Sequence, residues 1–304
     1  MPELPEVYTT VTGLQKNIVG LKITDIWSGV ESSHKLFTNT IKNKKYFISF
    51  KKNVIGTKVI SVKQNAKNIL INLNNDFTVV IHMKMTGHLL YGKWRVEGGD
   101  WKPVEKNSPL ADPYNRHIRT MFTFGNGKQL AFCDSRKFGT VEIFKTKDIE
   151  KDFKGIAPSP LDLPAQAGEK FYEKEVIEKM IKSTREIKTV LMDQKIIGGI
   201  GNIYSDEMLF RTHILPTRKS KSLNDNDWKL LFKYMREVLN GGIKFGGDSM
   251  SDYRNISGEK GNFQNKHLVY QRAGQSCKTK GCSGIIQKKK IGGRSAHFCD
   301  ICQK

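Results

Sequence analysis

Four cysteines near the C-terminal end place the strongest constraint on how this chain folds. They form two pairs, Cys277-x4-Cys282 and Cys299-x2-Cys302, separated by sixteen residues. Two such pairs supply four soft thiolate ligands with the spacing of a closed tetrahedral zinc ribbon. We therefore expect one structural Zn²⁺ bound by Cys277, Cys282, Cys299 and Cys302. His297 is an alternative ligand, although its surroundings favour a strand residue.

The placement of the cysteines also bears on where the protein works. Clustering of four cysteines in one short segment argues for a metal site and against a secreted disulfide scaffold. The fifth cysteine, Cys133, lies in an apolar run and is expected to be a buried thiol. Glu3 and Glu6 stand where a secretory signal would need positive charge, and no apolar run approaches the roughly 18 residues of a membrane span. We expect a cytoplasmic protein without a membrane anchor.

The charge balance indicates a polyanionic partner. The 304 residues include 51 Lys and Arg against 30 Asp and Glu, a formal net charge of +21. A basic cytoplasmic protein most often binds nucleic acid, with anionic membrane surfaces and acidic proteins as alternatives. Lys288 and Arg294 lie between the two cysteine pairs, so the expected hairpin of the ribbon carries positive charge that suits phosphate groups.

The N-terminal half has the pattern of a helix followed by a β-sandwich. Val7, Val11, Leu14 and Ile18 repeat at helical spacing, and Gly20 follows as a C-terminal cap. Beyond residue 21, short runs of β-forming residues alternate with turn signals, which predicts a sandwich closed by the leading helix. The expected strands are 22–26, 46–50, 58–62, 68–73, 78–81, 118–124, 129–133 and 140–144. Residues 92–114 are expected to form a long surface loop.

The C-terminal half is predicted to be helical. Residues 151–168 contain three prolines and are expected to link two domains, and helices are expected at 169–182, 184–194, 202–212 and 225–240. The glycine-rich turn at 196–202 runs into a helix N-terminus, a geometry that binds anions, although a tight turn between helices needs glycine for its geometry alone. Residues 245–265 are polar and glycine-rich, which suits either a mobile recognition loop or a plain connector.

The first residues have a pattern with chemical meaning. Loss of the initiator Met, which occurs before a small residue, leaves Pro2 with a free secondary amine. An α-amino group titrates near ~8, so part of it is uncharged and nucleophilic at neutral pH. Its attack on an aldehyde-level carbon forms a cationic iminium, which acts as an electron sink, and Glu3 is a candidate general acid or base. The same residues also suit a helix start, where Glu3 and Glu6 face the positive end of the helix dipole.

Together these features resemble the family of formamidopyrimidine-DNA glycosylases and endonuclease VIII. The resemblance rests on Met-Pro-Glu-Leu-Pro-Glu-Val at 1–7, Gly-Ile-Gly-Asn-Ile-Tyr at 199–204 and the four-cysteine ribbon, and it covers essentially the whole chain. Leu4 favours the formamidopyrimidine branch. The resemblance implies an α+β fold, with a catalytic domain of helix plus β-sandwich at 1–150, a linker at 151–168, a helix-two-turn-helix domain with a lesion-recognition loop at 169–265, and a zinc finger at 266–304.

The resemblance also implies an activity. Proteins of this family are bifunctional DNA glycosylases and AP lyases of base excision repair, and this branch removes oxidised purines such as 8-oxoguanine and formamidopyrimidines. The N-terminal proline, here Pro2, forms a Schiff base at C1′, and the strand is cut by β,δ-elimination. Glu3 matches the general acid/base and Glu6 a supporting carboxylate. Lys67 and Arg294 match residues near the damaged nucleotide and complete the predicted catalytic set.

Further matches imply the DNA contacts. His-Met-Lys-Met-Thr-Gly at 82–87 is similar to a segment whose second Met, here Met85, intercalates into DNA. Asp-Ser-Arg-Lys-Phe-Gly at 134–139 is similar to a segment in which Arg136 pairs with the orphaned cytosine and Phe138 is a wedge that fills the gap left by the flipped nucleotide. Residues 247–253 align with the loop that closes over an everted 8-oxoguanine. The predicted DNA-binding residues are His82, Met85, Arg136, Phe138, Asn202, Tyr270 and Lys288.

Several positions depart from the family pattern. The first cysteine pair is Cys-x4-Cys instead of Cys-x2-Cys, Ser135 and Lys137 replace Pro and Arg, and Gln271 replaces Gly. The recognition loop is only partly similar, so an endonuclease VIII-like glycosylase for oxidised pyrimidines stays open as an alternative. A non-catalytic zinc-containing DNA-binding protein is the other. The expected partner is damaged double-stranded DNA, bound by a monomer without an obligate protein partner. DNA binding implies association with the nucleoid in a bacterial-type cytoplasm.

Overall fold

The computed structural model describes residues 1–29, 31–164, 166–168 and 170–304. The chain divides into two compact units. Unit 1 comprises Met1–Lys154, Pro164–Ala167 and Phe245–Asn262, and unit 2 comprises Gly155–Leu163, Gly168–Lys244 and Phe263–Lys304. Ala165, inside the predicted linker, and Glu169, where the predicted 169–182 helix and the predicted second domain begin, lie outside the described residues.

Unit 1 is built from three α-helices and ten strands in its described part, with short 3-10 turns between them. The helices are α1 (Leu4–Ile18), α2 (Lys44–Val54) and α3 (Ile149–Asp152). The strands are β1 (Ile23–Ser28), β2 (Val59–Asn65), β3 (Asn68–Leu73), β4 (Phe77–His82), β5 (His88–Gly92), β6 (Trp94–Glu97), β7 (Asp100–Pro103), β8 (Ile118–Phe124), β9 (Gln129–Cys133) and β10 (Thr140–Lys145). Antiparallel pairing gives two four-stranded sheets, in the orders β1-β8-β9-β5 and β10-β4-β3-β2.

The core of unit 1 joins α1 to both sheets. The apolar side of α1, including Leu14, is fully buried with Ile71 of one sheet and Phe122 of the other in a single hydrophobic cluster. Burial on this scale is the main favourable term in folding, at roughly 25 cal/mol per Å² of apolar surface. The predicted first helix and β-sandwich are confirmed, and each expected strand other than 46–50 overlaps a strand of the structure.

Residues 46–50 lie in helix α2, so their prediction as a strand is wrong. The side-chain oxygen of Asn43 accepts a hydrogen bond from the backbone N–H of Tyr46 at 3.0 Å and caps the helix. Phe50 is fully buried whereas Ile48 is 65% exposed. A strand would place both side chains on one face, and a helix turns them apart. The cap and the burial of one helical face outweigh the β-forming composition.

Residues 92–114 are more ordered than the predicted loop, and that prediction is wrong for the first part of the segment. β6 and β7 form a hairpin that pairs Trp94 with Pro103. Trp94 is only 5% exposed and packs with Leu90 and Met121 in a second hydrophobic cluster. Trp94 is the signal of this burial in the sequence, because so large an apolar surface favours a packed position.

Unit 2 contains helices and one hairpin in its described part. The helices are α4 (Glu173–Ile181), α5 (Ile187–Leu191), α6 (Asn202–Arg211) and α7 (Asp225–Lys244), and the hairpin pairs β11 (Gln287–Ile291) with β12 (Arg294–Phe298). The helices overlap the four predicted ones, although α5 is shorter and α7 longer than expected. Among the residues described, no helix combines the length and apolarity needed to cross a membrane.

The two faces of α2 give a test of the corrected element. Phe50→Ala should lower the free energy of unfolding by about 3–5 kcal/mol, because it opens a cavity in the core. Ile48→Ala, the matched control on the exposed face, should change it by less than about 0.5 kcal/mol. Urea unfolding followed by circular dichroism measures both. Equal losses in the two variants would contradict a helix at this position.

Candidate active site and metal centre

Pro2 and Glu3 lie at the start of α1. Pro2 is buried, Glu3 is 2% exposed, and Met1 before them is 42% exposed. Glu3 has the extended backbone of an N-cap residue, and its N–H donates to Oε2 of Glu6 at 2.7 Å, as in a capping box. The helix start thus fixes the backbone next to Pro2 and brings two buried carboxylates to one end of α1.

Glu6 also binds a segment that is distant in sequence. Its Oε1 accepts the N–H of Asp248 at 2.7 Å, and its backbone carbonyl accepts the Tyr253 hydroxyl at 3.0 Å. Burial raises the pKa of Tyr253, which keeps the hydroxyl protonated as a donor. Gly247 has φ +86, and a Cβ at this position would lie 2.9 Å from Glu6 Cγ. Glu6 therefore joins α1 to the predicted lesion-recognition loop.

The predicted recognition loop is anchored at both ends. The N–H of Asn262 donates to the Phe245 carbonyl at 2.8 Å, and the N–H of Tyr91 donates to the Ile256 carbonyl at 2.7 Å. Tyr253 and Ile256 are 4% and 6% exposed, whereas Met250 is 45% exposed. The segment is therefore packed into unit 1, with exposed positions around Met250 and at 257 and 259–260.

Lys67 lies at the tip of the β2–β3 hairpin and is only 6% exposed. The side-chain amide of Gln64 donates to the carbonyls of Leu4 at 3.1 Å and Ala66 at 2.8 Å. These bonds tie the tip of the hairpin to the first residue of α1. A lysine that the sequence separates from the N-terminus by more than sixty residues therefore lies on the turn that contacts α1.

His82 ends β4 opposite Asn68. Burial, with additional repulsion from Lys84 and Lys67, lowers the pKa of His82 to about 3. The ring is neutral at physiological pH, and its Nδ1 accepts the N–H of Lys84 at 2.9 Å. Lys84 has φ +53, so the imidazole holds an unusual backbone turn immediately before Met85.

Met85, Arg136 and Phe138 form an exposed cluster on unit 1. Arg136 Nη1 lies 3.2 Å from Met85 Sδ, and the guanidinium carbon lies 4.8 Å from the centre of the Phe138 ring. Met85 and Phe138 are 40% and 45% exposed. By hydrophobicity alone both would belong in the core, and only the match to family segments indicated otherwise. The structure brings together the three residues predicted to fill and read the gap in DNA.

Asp134 organises the two loops of this cluster. Its Oδ2 accepts the N–H of Gly139 at 2.7 Å, and its Oδ1 accepts the hydroxyl of Thr86. That hydroxyl oxygen in turn accepts the N–H of Arg136 at 3.2 Å. The segment after Met85 and the segment around Arg136 therefore share one buried carboxylate as their support.

Lys42 supports the same loop and was not identified from the sequence. It is 6% exposed, and its Nζ donates to the carbonyl of Lys137 at 2.7 Å. Burial is the main cause that lowers the pKa of Lys42 to about 8. Lys137 has φ +60, so Lys42 stabilises a strained turn between Arg136 and Phe138. Nothing in the local sequence distinguishes this lysine from its many neighbours.

In unit 2, Asn202 begins α6 directly after the glycine-rich turn. Within the part of the chain that the structure describes, its buried Oδ1 has no hydrogen-bond partner. The N–H groups of Gly198 and Gly199 already donate to the Pro158 carbonyl and to Gln194 Oε1, at 3.0 and 2.9 Å. These two amides are therefore committed within unit 2 and do not contribute to the predicted anion site.

Two neighbouring carboxylates of α6 hold the cysteine-rich segment. Asp206 forms an ion pair with the fully buried Lys188 at 2.5 Å, and its other oxygen accepts the N–H of His297 at 2.9 Å. Glu207 accepts the N–H groups of three consecutive residues, 268–270, at 2.9–3.1 Å. His297 Nδ1 also lies 3.0 Å from Asp206. His297 is a strand residue, as expected, and its ring bonds to a carboxylate.

The four cysteines predicted to bind metal come together. Their Sγ atoms all lie within 4.8 Å of one another, an arrangement able to hold a metal ion. The Sγ atoms of Cys277 and Cys302 are 3.7 Å apart, as are those of Cys282 and Cys299. The longer first knuckle closes through a turn in which the N–H of Cys282 donates to the Thr279 carbonyl at 3.0 Å. The Cys-x4-Cys spacing is therefore compatible with the cluster.

The remaining predicted contacts lie near the hairpin. Arg294 is exposed beside the β11–β12 turn, whose Gly292 and Gly293 have φ +53 and +80. Lys288 is exposed in β11. Tyr270 lies edge-on to the His297 ring with 5.1 Å between centres. Outside this region, Cys133 is fully buried, as predicted, and burial raises the pKa of its thiol.

Comparison with known proteins covers the whole chain. Residues 1–141 match the model of the formamidopyrimidine-DNA glycosylase N-terminal domain, and residues 156–254 match that of the formamidopyrimidine-DNA glycosylase H2TH domain. Formamidopyrimidine-DNA glycosylases of Pelotomaculum thermopropionicum and Bacillus subtilis are 34% and 33% identical, each over 100% of this chain and 99% of the relative.

Solved structures are similar over the same extent. The Lactococcus lactis Fpg in complex with abasic-site DNA is 32% identical, with a TM-score of 0.81 over 99% of each chain. A mutant of that protein in complex with Fapy-dG-containing DNA has the same identity and TM-score over 100% of each chain. The architecture derived above, with a helix and β-sandwich, helices and a cysteine cluster, is thus that of a set of solved DNA complexes.

The bonds of Glu6 predict a defined loss of stability. Glu6→Gln replaces one acceptor oxygen by an N–H₂ group that faces a buried backbone N–H, so the free energy of unfolding should fall by about 1–3 kcal/mol. Glu97→Gln removes the same charge at an exposed position of β6 and should cost less than about 0.5 kcal/mol. Chemical denaturation compares them. Equal free energies of unfolding in the two variants would show that the two hydrogen bonds of the Glu6 carboxylate contribute nothing to stability.

Proposed function

The chain belongs to the formamidopyrimidine-DNA glycosylase family, and from that premise we propose that it is a bifunctional DNA glycosylase and AP lyase of base excision repair. Its proposed substrates are oxidised purines, 8-oxoguanine and formamidopyrimidines, in double-stranded DNA. Solved relatives in complex with abasic-site and Fapy-dG-containing DNA support this class of partner.

The exposed cluster of Met85, Arg136 and Phe138 is the observation that carries the proposal. Two large apolar side chains that remain 40% and 45% exposed beside a guanidinium are typical of a surface that binds a partner. In DNA with a flipped nucleotide, apolar side chains fill the gap and offset an unstacking cost of a few kcal/mol. Arg136 supplies the hydrogen-bond donors for the base that has lost its partner, and Met85 and Phe138 occupy the stack.

Pro2 is the proposed nucleophile once Met1 has been removed. Its amine bonds to C1′ while the C1′–N bond to the base breaks, and the base leaves with the electron pair and a proton. Opening of the sugar ring gives the iminium. Loss of the C2′ proton then expels the 3′ phosphate, and a second elimination expels the 5′ phosphate. Water hydrolyses the iminium and restores Pro2, so atoms and charge balance without another reagent.

The neighbouring groups have distinct proposed roles. Glu3 transfers protons as the general acid/base, since it is buried one residue from the amine. Glu6 is committed to two backbone N–H groups, which suits a supporting carboxylate. Lys67, also buried, brings positive charge to the turn that contacts α1, where it would bind a phosphate of the damaged strand.

The proposed phosphate contacts carry positive charge or hydrogen-bond donors. Arg294 and Asn202 are proposed to bind phosphates of the damaged strand, and Asn202 can donate to a phosphate through its side-chain amide N–H₂ group. A net charge of +21 favours such backbone contacts. The proposed phosphate contacts are Lys67, Asn202, Tyr270, Lys288 and Arg294, and His82 is a further proposed DNA-binding residue.

One structural Zn²⁺ is the proposed cofactor, bound by Cys277, Cys282, Cys299 and Cys302. Four thiolates about 2.3 Å from a central zinc lie roughly 3.8 Å apart in a tetrahedron, and two of the Sγ pairs are 3.7 Å apart. Gly284 permits this approach, because a Cβ there would lie 2.4 Å from the sulfur of Cys299. The zinc would fix the ribbon and take no part in the reaction.

We further propose that the protein acts as a monomer in the cytoplasm.

The domain boundaries proposed from the sequence, 1–150, 151–168, 169–265 and 266–304, divide the chain by function, whereas the compact units divide it by packing. The difference lies mainly at residues 245–262, which follow α7 in sequence and pack with unit 1.

Borohydride trapping tests the proposed nucleophile. Reduction of the iminium should leave the protein covalently attached to DNA that carries 8-oxoguanine or an abasic site, visible as a shifted band in denaturing gels. A form that keeps Met1 should give no such band, because the proline nitrogen is then an amide. Trapping that persists in this form would assign the nucleophile to another residue.

Metal analysis tests the ribbon. The purified protein should contain about one zinc per chain, and Cys299→Ser should release it and weaken DNA binding, because a structural zinc site contributes folding energy directly. Cys133→Ala is the matched control and should keep both the metal and the affinity. Full zinc content in Cys299→Ser, or none in the unmodified protein, would contradict the assignment.

A further inference from the structure

Arg254 is the largest of the nearly fully buried side chains and is 1% exposed. It directly follows the segment 247–253, the predicted lesion-recognition loop. A buried guanidinium is costly unless its donors are satisfied. Arg254 adjoins a loop with a proposed function, so its hydrogen bonds bear on the conformation of that loop.

The guanidinium bonds to the loop itself. Nη1 donates to the carbonyls of Ser251 and Tyr253, both at 2.8 Å. Hydrogen bonds from a charged donor to a carbonyl are stronger than neutral ones. Two backbone carbonyls on the C-terminal side of the exposed Met250 are therefore fixed by one side chain.

The other side of Arg254 is held by a different loop. Nε and Nη2 bond to Oδ2 and Oδ1 of Asp112 at 3.2 and 3.3 Å. The guanidinium carbon lies 4.6 Å from the centre of the Tyr114 ring. Burial opposes ionisation of Asp112, but the Tyr114 N–H and Arg254 together lower its pKa, so the ion pair persists at neutral pH. Arg254 is thus a rigid connection between the loop and residues 112–114.

The other end of the segment has its own anchor. The N–H of Asp248 is held by Glu6 at 2.7 Å, and the Ser249 hydroxyl accepts the N–H of Gly261 at 2.9 Å. The part that lies between the two anchors contains Met250, Ser251 and Asp252, which are half-buried or exposed. Its conformation depends on Glu6 at one end and on Arg254 at the other.

We propose that Arg254, supported by Asp112 and Tyr114, is a positioning residue that holds segment 248–252 in the conformation that receives an everted oxidised purine. The inference rests on the proposed function and deepens it by assigning a specificity-determining residue outside the predicted set. The expected dependence on Arg254 differs between two substrates. Excision of a base needs the segment, whereas cleavage at an abasic site, which has no base to receive, does not.

The test compares the two activities in single-turnover reactions of the full-length protein on duplexes with 8-oxoguanine or with an abasic site. Arg254→Met keeps the length of the side chain and removes every donor. If the competent conformation falls to a tenth of its population, base excision should slow about tenfold, while abasic-site cleavage should change less than about twofold. Arg254→Lys keeps the charge but lacks the planar guanidinium group. Its rate of base excision should therefore lie between those of the unmodified protein and Arg254→Met. Arg95→Met, which removes an exposed arginine of β6, should affect neither activity.

Hydrogen exchange of the free protein gives a second readout. Amides of 249–252 should exchange at least about tenfold faster in Arg254→Met, with strands β3 and β4 unchanged, because only a local anchor is lost. Equal losses of excision and abasic-site cleavage, or unchanged excision with unchanged exchange, would overturn the inference. An unmodified protein that fails to excise oxidised purines would overturn the proposed function, and the exchange result would still decide whether Arg254 holds the segment.

Discussion

Buried carboxylates that accept backbone N–H groups from distant segments are the interaction on which each unit of this protein depends. A carboxylate removed from water is unfavourable unless its oxygens are satisfied, and its bonds to N–H donors are among the stronger hydrogen bonds in proteins. In unit 1, Glu6 joins α1 to Asp248, 242 residues further along the chain. In unit 2, Glu207 gathers three consecutive N–H groups at 268–270. Glu6 and Glu207 therefore each join a helix to a segment that is distant in sequence.

Buried cations complete this framework with the opposite charge. Lys42 donates to a carbonyl in the loop of Arg136, and Arg254 donates to two carbonyls in the proposed recognition segment. Lys188 instead pairs with Asp206. Most other basic side chains remain exposed, so the excess of positive charge is available to a polyanion. A few buried cations shape the loops, while the many exposed ones supply the long-range attraction to DNA.

The rigid loops explain why the cluster of Met85, Arg136 and Phe138 stays exposed. Met85 and Phe138 remain in solvent because Asp134 and Lys42 fix the backbone on which they stand. A mobile loop would bury these side chains against the nearest apolar surface, since burial is favourable at roughly 25 cal/mol per Å². Because they are held in place, the side chains stay available for the proposed insertion into a DNA stack. The hydrogen bonds that stabilise the loops therefore also keep Met85 and Phe138 exposed for their proposed role in DNA binding.

The sequence by itself determined the features that depend on local spacing. The amphipathic α1, all but one of the expected strands and the two cysteine pairs are periodic or regularly spaced, and such patterns need no knowledge of the rest of the chain. Pro2 and Glu3 could also be selected as a candidate reaction centre, because their chemistry lies in adjacent residues.

Only the tertiary structure decided which side chains are buried and what they bind. Residues 46–50 are a helix because Asn43 caps it and Phe50 enters the core, although their composition favours a strand. Lys42 and Arg254 carry no distinguishing pattern in the sequence, and their roles come from carbonyls and carboxylates far away along the chain. Burial and hydrogen-bond partners are set by long-range packing, and local periodicity holds no information about which distant segment will supply them.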